Sequence, residues 1–277
     1  IGEKGIIHFS LEDDWPDSDG GGAPLTLLSA TAGSTANIIP GAAKAKLRVN
    51  HGPAPQSLGQ VRAQTHDDCL LLSADGKAAH ASQPEEGDNA LAALLQYLAG
   101  LELTNSAAAR YIRALAELCR DSRYGASFGL AAQDDYSRLT LIPSILRIAP
   151  GQGSLTCDMR FPVTHKVADY RAALDDICAK YQLKLGFFEG HEPLLAQEDD
   201  PTAARLLKAY RDFTGDLSAP LVIGGGTYAK ELPGVLAFGP IFAHTPNLCH
   251  QADEYISRED LLAAAKIYAR AIYELCV

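Results

Sequence analysis

Three stretches combine residue types and spacings that can do chemistry. The first, His244-Thr245-Pro246-Asn247-Leu248-Cys249-His250-Gln251-Ala252-Asp253-Glu254, is a polar loop between a strand-like run and the last helix-like run. Loops at the carboxyl ends of α/β strands commonly carry sites. His250 reads there as a metal ligand, a general base or a hydrogen-bonded structural histidine, and all three stay open. The second stretch, Gly224-Gly225-Gly226-Thr227-Tyr228, also follows a strand-like run. Its glycines let backbone approach a ligand and turn amides toward an anion such as a carboxylate, while a plain flexible turn is the alternative. A phosphate loop is excluded because the Lys-Ser/Thr pair is missing, and the nominal G-x-G-x-x-A fit of Gly224 to Ala229 is a weak signal on its own.

The third stretch is Gly76-Lys77-Ala78-Ala79-His80-Ala81-Ser82. Small neighbours leave the His80 ring accessible to a substrate, and a capping or surface histidine explains the same pattern. Asn37 sits in a polar corner between two strands. Arg160, near the end of a strand, suits bidentate pairing with a ligand carboxylate or an ordinary ion pair. Gly125-Ala126-Ser127-Phe128-Gly129 matches G-x-S-x-G, but a charged, helix-like stretch precedes it where a nucleophile elbow needs a strand, so the match reads as chance. There is no H-E-x-x-H. His250 is the one good zinc ligand in the chain, whereas a catalytic zinc takes about three.

The elements that must position these groups follow from periodicity. Period-two alternation predicts a strand at Ile7–Leu11, an apolar run suggests a buried strand at Cys69–Ser73, and further strand signals lie at Leu25–Thr31, Ala43–Val49, Leu139–Leu146, Ser154–Phe161 and Leu183–Phe188. Three- and four-residue spacing of Leu91, Leu94, Leu95, Leu98 and Leu101 predicts a helix at Asn89–Leu103, and helices are also expected at Ser57–Gln64, Ala107–Cys119 and Val167–Tyr181. After Gly190-His191-Glu192-Pro193 the pattern alternates α with β. It runs from a helix at 201–214 through strands at Leu221–Ile223 and Val235–Phe238 to a helix at 258–275, as in a doubly wound domain. Leu261, Leu262, Ala265, Tyr268 and Ile272 would form the core face of that last helix.

Composition narrows the partners. A net charge of -10 with no basic stretch excludes extended phosphate-backbone binding, hence no nucleic acid. No run approaches the roughly 18 apolar residues of a membrane span, and the acidic opening stretch does not read as a signal peptide. Six separated cysteines without a C-x-x-C pair read as buried thiols of a reducing compartment, which favours the cytoplasm.

In chain order, Gly2-Glu3-Lys4-Gly5, Asn37-Ile38-Ile39-Pro40, Gly76-Lys77-Ala78-Ala79-His80-Ala81, Arg160-Phe161-Pro162, Gly224-Gly225-Gly226-Thr227-Tyr228-Ala229 and His250-Gln251-Ala252-Asp253-Glu254-Tyr255-Ile256 resemble the PepV-type dizinc dipeptidases of the aminoacylase/carnosinase superfamily. The resemblance implies an α/β catalytic domain of zinc-exopeptidase type, incomplete here, and an inserted α+β lid of ferredoxin-like topology. Residues 1–7 would be a catalytic-domain strand, 8–192 the lid and 193–277 the C-terminal part of the catalytic domain. It further implies two zinc ions with His250 as a ligand, and His80 reaching to the substrate oxyanion with Asn37 assisting. Arg160 and the Gly225, Gly226 and Thr227 amides would hold the carboxylate of a dipeptide.

In that family the other zinc ligands and the general base precede the Gly-Glu-Lys-Gly segment, and here only Ile1 does. The resemblance implies a monomeric parent dipeptidase, because in the PepV type an enlarged lid stands in for a dimer partner. The missing ligands lead to the expectation of a 277-residue chain that is inactive alone and able to self-associate through exposed apolar surface. The alternatives are a deacylase of N-acyl amino acids and a non-catalytic carboxylate-binding fragment.

Overall fold

The computed structural model describes residues 2–16, 22–197, 199–232, 234–239, 241–242, 244–246, 248 and 253–277. In chain order the strands are β1 (Gly2–Glu3), β2 (Gly5–Asp14), β3 (Leu25–Ala32), β4 (Ile38–Ile39), β5 (Ala42–Val49), β6 (Val61–His66), β7 (Cys69–Asp75), β8 (Ala79–His80), β9 (Thr140–Ala149), β10 (Gln152–Phe161), β11 (Lys184–His191), β12 (Leu194–Leu195) and β13 (Val222–Ile223). The α-helices are α1 (Ala90–Ala99), α2 (Ser106–Leu118), α3 (Val167–Tyr181), α4 (Pro201–Thr214) and α5 (Arg258–Cys276). Two compact units result, one of Lys4–Pro193 and one of residues 1–3 with Leu194–Val277. The sequence reading divides the chain at 7/8 and 192/193. The long strand β2 carries residues 5–7 into the larger unit instead.

The larger unit is built on an eight-stranded sheet in the order β11-β2-β10-β9-β3-β5-β7-β6. Every neighbouring pair is antiparallel. The succession β2, α2, β9, β10, α3, β11 follows the β-α-β-β-α-β ferredoxin-like pattern. Alternation sorts the side chains by face. Ile7, Phe9 and Leu11 of β2 and Leu155, Cys157, Met159 and Phe161 of β10 enter the core together with Leu91, Leu95, Tyr111 and Leu115 of α1 and α2. The residues between them, His8, Ser10, Asp158 and Arg160, therefore belong to the opposite face.

Three strands keep their apolar residues on the core side only because a bulge changes the phase. In β3 the register shifts between Leu27 and Ser29, so Leu25 and Leu27 hand over to Ala30 and Ala32. In β9, Ser144 is the extra residue opposite the Thr156/Cys157 step, and Leu139 and Leu141 hand over to Leu146 and Ile148. In β11 the shift lies between Leu185 and Phe188, both of which pack on the core. The helix α1 starts where Asn89 caps the Leu91 and Ala92 amides, and the same side chain donates to the Pro143 carbonyl at 2.8 Å, tying the helix to the bulged strand.

Expectations fail in both units. Residues 57–64 form no helix: Val61 to His66 pairs with β7 as strand β6, with Val61 and Ala63 on the core side. Val235–Phe238 forms no strand. Cys119, Cys157 and Cys178 are buried thiols as expected, but Cys69 is half-buried and Cys276 exposed.

The smaller unit has a three-stranded sheet, β12-β1-β13, with β1 antiparallel to β12 and parallel to β13. Asp200 caps α4, Pro201 opens it and Gly215 ends it in a left-handed turn. The buried face of α5 is Ala264, Ile267 and Ala271, while Leu261, Leu262 and Ile272 are exposed, contrary to the core face expected from the sequence. Small residues allow close approach to α4, whose buried residue is Ala209. No described helix is long and apolar enough to cross a membrane.

Candidate functional site

The face of the large sheet opposite α1–α3 gathers polar side chains, among them Ser10, Asp158 and Arg160, that are almost fully buried. Asp158 is the centre: its Oδ1 accepts from Arg160 Nε at 2.9 Å, and its Oδ2 accepts from Arg160 Nη2 at 3.0 Å. Oδ2 also lies 2.9 Å from His8 Nε2. Cross-strand register explains the grouping, because His8 of β2 and Ile142 of β9 both face Asp158 of β10. Burial pushes the Asp158 carboxyl up, but the bonds from His8 and Arg160 and the charge of Arg160 outweigh it and hold the group below the usual carboxylate range. The ion pair foreseen as one reading of Arg160 is thus present, with an internal carboxylate on its Nε/Nη2 edge. Nearby, Lys4 Nζ donates to the Arg138 carbonyl at 2.5 Å. Burial and the like charge of Arg160 bring the Lys4 ammonium down to about 8.

Asn37 and His80 come together through the short pair β4–β8. Ile38 faces His80 in register, and the Asn37 carbonyl accepts from the Ala81 amide at 2.9 Å. This ribbon packs on β9 through Ile39, Ala81 and Ile142, a small apolar cluster apart from the main core. Since Ile142 pairs with Asp158, the ribbon and the Arg160 network lie on one side of one sheet. The His80 ring is fixed by Ser82, whose amide donates to Nδ1 at 3.2 Å and whose hydroxyl lies 2.7 Å from it. With Nδ1 accepting, a neutral ring carries its proton on Nε2, the donor form that an oxyanion requires.

The glycine loop belongs to the smaller unit. Glu3, buried to 1% exposure, accepts from the Thr227 amide at 2.9 Å and from the Thr227 hydroxyl. That hydroxyl accepts in turn from the Ala229 amide at 3.1 Å and caps the 3-10 turn Tyr228–Glu231. The chain's own carboxylate therefore occupies the Thr227 donors. At Gly225 a side chain would meet open space. His250 lies outside the described residues. His244, earlier in the same loop, pairs with Asp260 at 2.9 Å, and that pair draws the Asp260 carboxyl below its ordinary value.

Sequence reasoning missed His8, Asp158 and Glu3. Asp158 was legible in principle, since positions two apart on a strand share a face, and an acid at that spacing from Arg160 is its natural partner. Among the described residues no group of three His, Cys, Asp or Glu side chains could hold a metal ion. They do not form a zinc site by themselves, and no step below is drawn through a metal.

Comparison with known proteins gives a family. The model of "Peptidase family M20/M25/M40" matches residues 24–274. A protein of Staphylococcus epidermidis named "Putative dipeptidase" is 32% identical over 292 residues, which cover all of this chain and 61% of the relative. A protein of Staphylococcus haemolyticus, also named as a putative dipeptidase, is 30% identical over 288 residues, again covering all of this chain and 61% of the relative. The chain thus spans about three-fifths of the length of these curated relatives. An aminoacylhistidine dipeptidase of Vibrio alginolyticus is similar at TM-score 0.43 and 14% identity, covering 82% of this chain and 52% of that one. An M20 family metallo-carboxypeptidase of Sulfolobus solfataricus reaches 0.45 and 14%, covering 99% and 60%. Likenesses at that level carry no argument about the fold.

Proposed function

From the premise that the chain belongs to peptidase family M20/M25/M40, we propose that it is the substrate-holding portion of a zinc-dependent dipeptidase. In this reading residues 4–193 are the lid, and residues 2–3 with 194–277 are part of the catalytic α/β domain. The observation that supports it is that Asn37–His80 and Asp158–Arg160 lie on one side of one sheet, the side away from α1–α3. A dipeptide offers a scissile carbonyl and a terminal carboxylate a few ångströms apart, and it calls for a neutral donor near a cation.

His80 Nε2–H would donate to the carbonyl oxygen as charge develops on it, with Ser82 holding the tautomer. Arg160, kept in one orientation by both oxygens of Asp158, would bind the carboxylate. The Gly225 and Gly226 amides of the glycine loop are further donors in the same reading, and Glu3 shapes that loop through Thr227. His250 is the proposed metal ligand of this chain. The remaining ligands and the general base are not assigned to any described residue, so the 277-residue chain alone is proposed to bind substrate without cleaving it.

The test is calorimetry and hydrolysis with dipeptides and with N-acetyl and N-succinyl amino acids, with and without zinc. Dipeptide binding lost in Arg160→Met and His80→Ala supports the reading. Equal or better recognition of N-acyl amino acids would replace it by a deacylase, and cleavage of dipeptides by this chain would overturn the division of labour.

A further inference from the structure

Beside Arg160 the sheet contains a polar atom with nothing to bond to among the described residues. Thr140 opens β9 directly opposite Arg160 in the β9–β10 register. It shares a face with Ile142, two residues on, and so with Asp158 and Arg160. The residue is 4% exposed, and its Oγ1 is buried without a hydrogen-bond partner among the described residues. A buried hydroxyl left unsatisfied is destabilising, and native proteins keep few of them. Threonine at this position is not required by the strand, since valine has the same shape and at least the same preference for it. Arg160 and Lys4 are both cationic and largely buried there, with Asp158 paired to Arg160 and the carboxylates of Asp134 and Glu85 also acting on Lys4, so the guanidinium beside Thr140 is the group that would attract an anion.

We propose that Thr140 is a substrate-binding residue whose hydroxyl donates to the carboxylate held by Arg160. The proposal rests on the dipeptide reading above and deepens it by adding a donor that no sequence motif indicated. The ligand it implies has a free carboxylate, and one carboxylate oxygen would face the guanidinium while the other faces Thr140 Oγ1. The orphaned hydroxyl is then a cost carried by the empty site and recovered on binding, a trade of stability for recognition.

Two variants separate this from a merely structural role. Thr140→Val removes the hydroxyl at constant shape, and Thr140→Ser keeps it. Binding of alanyl-alanine and of its C-terminal carboxamide is measured by calorimetry on the whole chain, with urea unfolding of each protein alongside. Thr140→Val is expected to bind the dipeptide about tenfold more weakly, to bind the carboxamide as wild type does, and to unfold at higher urea. Thr140→Ser is expected to restore the affinity. If Thr140→Val binds the dipeptide as tightly as wild type while Arg160→Met does not bind it, the inference fails and the dipeptide reading stands. Wild-type protein that binds no dipeptide overturns both.

Discussion

Lys4 is a test of the electrostatics of the candidate site that needs no substrate. Its ammonium is brought from 10.5 to about 8 by burial first and by Arg160 second. That gap corresponds to about 3 kcal/mol by which the folded state disfavours the charged form. Below pH 8 the folded protein bears this cost in full. Between pH 8 and 10.5 the unfolded chain binds more protons than the folded one, so wild-type stability rises with pH across that window. Lys4→Met keeps the apolar stem, removes the charge and forfeits the bond to the Arg138 carbonyl, a loss of about 1 kcal/mol. The net expectation is a gain of about 2 kcal/mol at pH 7 that has vanished by pH 10.5. Urea unfolding of both proteins at several pH values measures it. A variant that is destabilised at pH 7, or whose difference from wild type does not change with pH, refutes the reasoning.

Other consequences are open to measurement. Gly33 has φ +62°, and a Cβ there would lie 1.9 Å from the Ser144 carbonyl oxygen, whereas Gly52, at φ +78°, faces open space. Gly33→Ala should lower stability by more than ~3 kcal/mol and Gly52→Ala by about 1; equal urea midpoints for the two would contradict the packing described. Thr227→Val strips Glu3 of one donor and uncaps the turn at 228–231, at a cost of about 1–3 kcal/mol to the local structure. Hydrogen exchange at the Ala229 amide should accelerate accordingly, and an unchanged rate sinks the assignment. The smaller unit exposes Leu217, Leu221, Leu232, Ile241, Leu261, Leu262 and Ile272, so sedimentation should show association that grows with concentration and weakens in Leu261→Glu/Leu262→Glu. A monomer at every concentration argues against that surface being adhesive.

Periodicity read most of the fold where a single rule governs each residue. The helix expected at 167–181 coincides with α3, and that at 201–214 with α4, where Asp200, Pro201 and Gly215 mark the ends chemically. It failed at 57–64, where Val61 and Ala63 alternate but are flanked by polar residues that fit either period. It also failed at Val235–Phe238, because a strand needs an edge to pair with and none is supplied there among the described residues. At the site, single histidines and arginines were visible by type, but their partners were set by cross-strand register. Asp158 meets His8 from 150 residues away, and Thr140 faces Arg160 only once β9 is aligned on β10. The direction of the Thr227 donors depended likewise on Glu3, more than 200 residues earlier.

The three bulges bear on how this sheet can change length. In a regular strand, losing one residue turns everything beyond it inside out, exchanging core leucines for the polar flank. At Leu28, at Ser144 and at Gly186–Phe187 the opposite holds, because removing the extra residue restores plain alternation and leaves Leu25 with Ala30, Leu141 with Leu146 and Leu185 with Phe188 on the same side. These are the positions within β3, β9 and β11 where a single-residue gap between relatives is structurally silent, and a gap elsewhere in those strands would have to be matched by a second one.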